Sequence, residues 1–104
     1  MEKLSKELQT YAIVGLVFKY LKESPSYGYK LIKDIEKESG GLVQVEEGYL
    51  YPLLDKMRKQ GLLNSSWEST SGNQKRKVYS LSNAGINKYH ALVSDFEKVK
   101  GWMK

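Results

Sequence analysis

Glu47-Gly48-Tyr49-Leu50-Tyr51-Pro52-Leu53-Leu54-Asp55-Lys56-Met57-Arg58-Lys59-Gln60-Gly61 is the stretch on which the reading of this chain turns. Leu50, Leu53, Leu54 and Met57 recur at i, i+3, i+4 and i+7, the spacing of one apolar face of an α-helix. Gly48, Pro52, Asp55, Lys56 and Lys59 fall on the opposite face, with Tyr51 and Arg58 on one flank and Tyr49 on the other. Pro52 removes one backbone hydrogen bond and crowds the carbonyl of Gly48, a residue free to tilt away. Gly61 supplies the stop. Such a helix rests its apolar back on a core and offers a polar front to something else.

Beyond it the period changes to two. Leu63, Ser65 and Trp67 alternate, a polar tip follows at 69–74, and Lys75-Arg76-Lys77-Val78-Tyr79-Ser80-Leu81 returns, which predicts a β-hairpin with a basic second strand. Only alternate members of the basic triplet share a face. Trp67 is expected to pack beneath the hairpin.

Upstream, residues 4–22 contain Tyr11-Ala12-Ile13-Val14-Gly15-Leu16-Val17-Phe18, apolar on all sides, and predict a helix buried on most faces. Ser24-Pro25-Ser26 breaks the pattern, and Ser26 is placed to cap a second helix with Leu31, Ile32 and Ile35 on one face and Gly40-Gly41 at its end. Leu42-Val43-Gln44-Val45 reads as a brief strand or an extended link. Downstream, Ser82 is positioned to cap a long last helix. Its Tyr89, Leu92, Phe96, Val99 and Met103 follow 3,4 spacing and form a seam that a small domain leaves uncovered. His90 flanks that seam, as a surface residue or a buried hydrogen-bonding one.

The order α-α-(β)-α-β-β-α describes an α+β, mostly helical chain: a winged helix-turn-helix over residues 1–81 and a C-terminal dimerisation helix over 82–104, in one structural unit. The width of the third helix fits the ~12 Å major groove of B-DNA. Its positive dipole end and the Tyr51 hydroxyl suit phosphates, and Lys56 and Lys59 project from its exposed face.

Composition agrees and excludes alternatives. With 104 residues, 40% hydrophobic and 28% charged, and 2 Pro, the chain has room for one folded domain. No run approaches the ~20 apolar residues of a membrane span and no signal-peptide core follows the N-terminus, so a cytoplasmic protein without a membrane partner is expected. The absence of cysteine excludes disulfides and thiolate metal sites, and with His90 alone a histidine-built zinc site would need two chains. There is no G-x-S-x-G elbow and no P-loop, and the adjacent Glu46 and Glu47 diverge on a helix, so neither catalysis nor a cofactor is expected. The net charge of +5 is spread along the chain, with +1 in residues 1–39, +2 in 40–81 and +2 in 82–104, so charge by itself does not single out nucleic acid.

Motifs carry the reading further. Residues 12–16 (Ala-Ile-Val-Gly-Leu), 25–31 (Pro-Ser-Tyr-Gly-Tyr-Lys-Leu), 39–41 (Ser-Gly-Gly), 48–54 (Gly-Tyr-Leu-Tyr-Pro-Leu-Leu), 61–63 (Gly-Leu-Leu), 75–82 (Lys-Arg-Lys-Val-Tyr-Ser-Leu-Ser) and Gly85 occur in one order. Over nearly its whole length the chain thereby resembles the PadR-like transcriptional regulators, in their short form with a single C-terminal helix. The resemblance implies that the third helix reads DNA, the hairpin is a wing and the C-terminal helices dimerise. It implies phosphate contacts for Tyr29 and Tyr51, recognition-helix cations at Lys56 and Lys59, and a basic wing at Lys75, Arg76 and Lys77. Two positions depart from the family pattern. Tyr49 stands where a short polar residue is common and is assigned here to base preference; Glu46-Glu47 replaces the usual short cap, suiting the helix dipole while repelling phosphate.

The function expected is that of a homodimeric, sequence-specific regulator of double-stranded DNA with a pseudo-palindromic operator, a repressor released by a small aromatic or apolar effector. Tyr11, Phe18, Tyr89, Leu92, Phe96, Val99, Trp102 and Met103 are the expected dimer and effector residues. Some relatives are similar in sensing aromatic compounds at this interface, and Phe96 stands where some of them place tryptophan. The alternative is a protein-protein adaptor that uses the seam of the last helix; only the regulator requires affinity for duplex DNA that falls with salt.

Overall fold

The computed structural model describes residues 2–104. Helix α1 spans Lys6–Glu23, strand β1 Ser26–Tyr27, helix α2 Gly28–Glu38, helix α3 Glu47–Lys59, strand β2 Leu63–Ser69, strand β3 Lys75–Leu81 and helix α4 Asn83–Trp102. The three strands form an antiparallel sheet in the order β1-β3-β2. The expected winged helix-turn-helix is present, with β2 and β3 as the wing.

Phe18, Leu31, Ile35, Leu50, Leu54, Val17 and Val43 are the largest side chains fully withdrawn from water, so α1, α2, α3 and the link before α3 converge on one core. Each such Leu, Ile or Phe contributes about 1.5–3 kcal/mol relative to exposure. Leu63 and Tyr79 close that core from the sheet.

Helix ends follow their local chemistry. At α3 the Gly61 amide donates to the Arg58 carbonyl and the Leu62 amide to the Met57 carbonyl, with Gly61 at φ +79°, the paired geometry that a glycine past a helix end permits. Gly40 and Gly41 close α2 in the same way onto Lys37 and Glu36. Ser82 caps α4, its Oγ accepting from the Gly85 amide at 3.0 Å and donating to the Gly61 carbonyl at 2.6 Å. This one hydroxyl ties the end of the third helix to the start of the fourth.

One local expectation is corrected. Ser26 does not cap α2: it pairs with Tyr79 in β1, and the cap position passes to Tyr27, which makes no side-chain cap bond. Of the two readings of residues 42–45 the extended link is the one found, held by Val43 and Val45 in the core and by the Ser39 hydroxyl, which accepts from the Val43 amide at 3.0 Å.

Helix α4 runs antiparallel to α1, with Tyr11 stacked on Phe96 at 4.5 Å and Phe18 on Tyr89 at 5.7 Å. Phe18 was expected at a dimer or effector surface; at 2% exposure it belongs to the protomer's own core, because it lies beside Val17 and Leu21 on the inward face of α1. Leu92 is half-buried against the core, whereas Val99, Trp102 and Met103 are exposed. The protruding helix lengthens the molecule to 54 × 36 × 21 Å and raises its radius of gyration to 14.6 Å, above the ~13 Å of a compact chain of this size.

Candidate nucleic-acid interface

The register of the wing sorts its side chains. Trp67 pairs with Lys77, Ser65 with Tyr79 and Ser69 with Lys75, so Trp67, Lys75 and Lys77 extend the face on which Tyr79 closes the core. Arg76 pairs with Glu68 and takes the other face. There its guanidinium bonds Glu68 at 2.9 Å and stacks on the Tyr27 ring, 3.7 Å from the centroid. The basic triplet thus divides, as strand alternation requires, into two cations over the helices and one that ties the wing to β1.

Under that face lies a groove of about 610 Å³, bounded by Tyr29 at the start of α2, Tyr51 on α3 and the wing's Trp67, Lys75 and Lys77. No carboxylate is among its described lining residues. Tyr51 is seated by Gly28: a Cβ there would meet the ring, with Cζ at 2.7 Å and the hydroxyl at 2.8 Å. Burial, then the nearby Glu47 carboxylate, raises the Tyr51 hydroxyl above its ordinary pKa.

On α3, Leu50, Leu54 and Met57 are buried and Leu53 is half-buried, as the spacing predicts. Lys56 is exposed and forms no ion pair among the described residues. Lys59 is not free in the same way, since it and Arg58 share Asp55 at 3.0 and 2.9 Å. Hydrogen bonds from Arg58 and Lys59 hold the Asp55 carboxyl below its ordinary pKa. Glu46 is the N-cap and makes no side-chain cap bond. Tyr49 is exposed on the other flank, beside a second cavity of about 470 Å³ that also meets Lys3, Lys6 and Glu46.

The structure therefore gathers Tyr29, Tyr51, Lys75, Arg76 and Lys77 around one groove, leaves Lys56 and Lys59 on the exposed face of α3, and sets Tyr49 apart. Trp67 departs from expectation. It is 66% exposed and overhangs the groove, because the sheet beneath its ring has run past the helical core. Strand alternation puts Trp67 on the face of Leu63, but no local signal marks where the core beneath that face ends; Gly28 carried none until Tyr51 was placed on it.

The model of the Transcriptional regulator PadR-like family matches residues 17–91, which include all of α2, α3 and the wing. The chain belongs to this family. It is accordingly a DNA-binding transcription regulator and not an enzyme. A PadR family transcriptional regulator from Eggerthella lenta is 30% identical, with a TM-score of 0.83 over 93% of this chain and 82% of that one. A transcriptional regulator from Clostridium thermocellum, 23% identical, shares the fold at a TM-score of 0.87 over 96% of this chain and 94% of that one. A protein from Lysinibacillus sphaericus is 24% identical over 86 residues, 83% of this chain and 79% of its own. No helix among the described residues is long and apolar enough to cross a membrane.

Proposed function

We propose that this PadR-like regulator acts as a homodimeric repressor, with α3 of each protomer in successive major grooves of a pseudo-palindromic operator about 34 Å apart. The observation that carries the DNA face is the groove beside α3, which has no carboxylate among its described lining residues, where Lys75 and Lys77 are unpaired among the described residues and Tyr29 and Tyr51 present hydroxyls. Phosphate neutralisation needs such uncommitted cations, and an adaptor using only the α4 seam does not. In this arrangement Lys56 and Lys59 reach phosphates flanking α3, and Tyr49 tunes base preference. The test is fluorescence anisotropy on duplex DNA upstream of the chain's own gene, at about 50 and 200 mM salt. Tight binding that weakens steeply supports the proposal; salt-independent or absent binding refutes it.

The release of the repressor is assigned to a small aromatic or apolar effector. A shallow groove of about 290 Å³ between α1 and α4, lined by Tyr11, Ala12, Gly15, Leu16, Lys19, Tyr89 and Val93, supports that reading. An effector there loosens operator binding if it prefers a dimer whose α3 helices are wrongly spaced.

A further inference from the structure

Trp67 is 66% exposed, and the fold gives it no packing role that explains a side chain of that size left in water. Its surroundings are specific. It is register-paired with Lys77, whose Nζ lies 5.9 Å from its ring, and it overhangs the groove opposite Tyr29 and Tyr51. Lys75 lines the same groove, and no carboxylate is among the described lining residues. An apolar protein segment seated there would desolvate these lysines without pairing them. A DNA strand supplies both requirements, because its phosphates pair with lysine and the deoxyribose between them is apolar.

We propose that Trp67 is a DNA-contacting residue of the wing, packing its ring on the deoxyribose of the strand whose phosphates meet Lys77. The inference rests on the DNA-binding reading of this face and adds an interaction of another kind, one that releases no counterion. Removing it weakens binding by a similar factor at every salt concentration, whereas removing Lys77 flattens the salt dependence.

The test uses full-length protein labelled with 5-fluorotryptophan, whose 19F spectrum holds Trp67 and Trp102, assigned with Trp67→Phe. A mixed-sequence duplex of about three helical turns is added at about 50 mM salt. The Trp67 resonance should shift saturably with binding. Trp67→Ala should bind about tenfold more weakly with an unchanged slope of log K against log salt, and Trp67→Phe should stay within about threefold of wild type. A Trp67 resonance that stays put in a duplex that wild type binds overturns the inference and leaves the DNA-binding reading standing. So does a response to single-stranded DNA alone, which places the ring on an unpaired base. Wild type that binds no duplex overturns both. Should Trp67→Ala fail to fold, the resonance shift in wild type decides.

Discussion

The ring of Tyr51 lies across Gly28 so closely that a Cβ on residue 28 would stand 2.8 Å from the tyrosine hydroxyl. The third helix is thereby docked on the first residue of the second, and the Tyr51 hydroxyl is aimed by its packing against backbone. Gly28→Ala should cost about 1–3 kcal/mol, since the ring has to move, and should weaken duplex binding in parallel. In a Tyr51→Ala background the same change should cost little. Thermal melts of the four proteins measure the coupling; additive losses would show that the two residues do not support each other.

Arg76 and Lys77 are neighbours with different surroundings. Both border the groove, but the Arg76 guanidinium is already held by Glu68 and the Tyr27 ring, while Lys77 forms no ion pair among the described residues. Arg76→Ala should lower melting temperature and DNA affinity and leave the salt slope intact, because it unfastens the wing from β1. Lys77→Ala should leave the melting temperature nearly unchanged and reduce the slope by about 0.9 for each phosphate that the lysine neutralises. Anisotropy titrations between about 50 and 200 mM salt distinguish them. A flattened slope for Arg76→Ala would place its guanidinium on a phosphate.

Local elements of this fold are written in the sequence more directly than the contacts between them. The third helix, the hairpin, the Ser82 cap and the glycine stops were legible because periodicity and capping depend on residues a few positions apart. Strand β1 was not, since Ser26 and Tyr27 become a strand only through pairing with Tyr79 and Val78, some fifty residues away. The directions of Phe18 and Trp67 were hidden for a related reason. An all-round apolar helix does not say which side meets its neighbour, and a hairpin does not say where the core beneath it ends.

Stability should show an acid limb traceable to Glu38. Its carboxylate accepts from Lys19 at 3.1 Å and from the Tyr20 hydroxyl at 3.0 Å, and these bonds hold its pKa below the ordinary 4.5. A pKa depressed in the folded state contributes stability that is complete above the unfolded value and is lost as pH falls through the folded one. Wild type should therefore lose melting temperature below about pH 4.5 more steeply than Glu38→Gln. The two curves should approach one another at the acid end. Parallel curves would mean that the α1–α2 pairing contributes nothing measurable.

The proposed dimer is best tested at the end of α4. Phe96 is an ambiguous probe, because it stacks on Tyr11 within the protomer, and a charge there would disturb α1–α4 packing whatever the oligomeric state. Val99 and Met103 are exposed, Met103 at 80%, so an aspartate at either meets water in a monomer and a desolvated apolar surface in a dimer. At micromolar concentration, light scattering should give twice the 11.9 kDa chain mass for wild type and the single mass for Val99→Asp or Met103→Asp, with helical content preserved. DNA binding should follow. Linking two reading heads makes the second binding event intramolecular, so the monomeric variants should lose about 100-fold or more on a duplex carrying both half-sites and little on an isolated half-site. A wild-type monomer would remove the two-fold operator from the proposal. A variant that dissociates yet binds the full operator as wild type does would show that the reading heads act independently and that the α4 seam serves another partner.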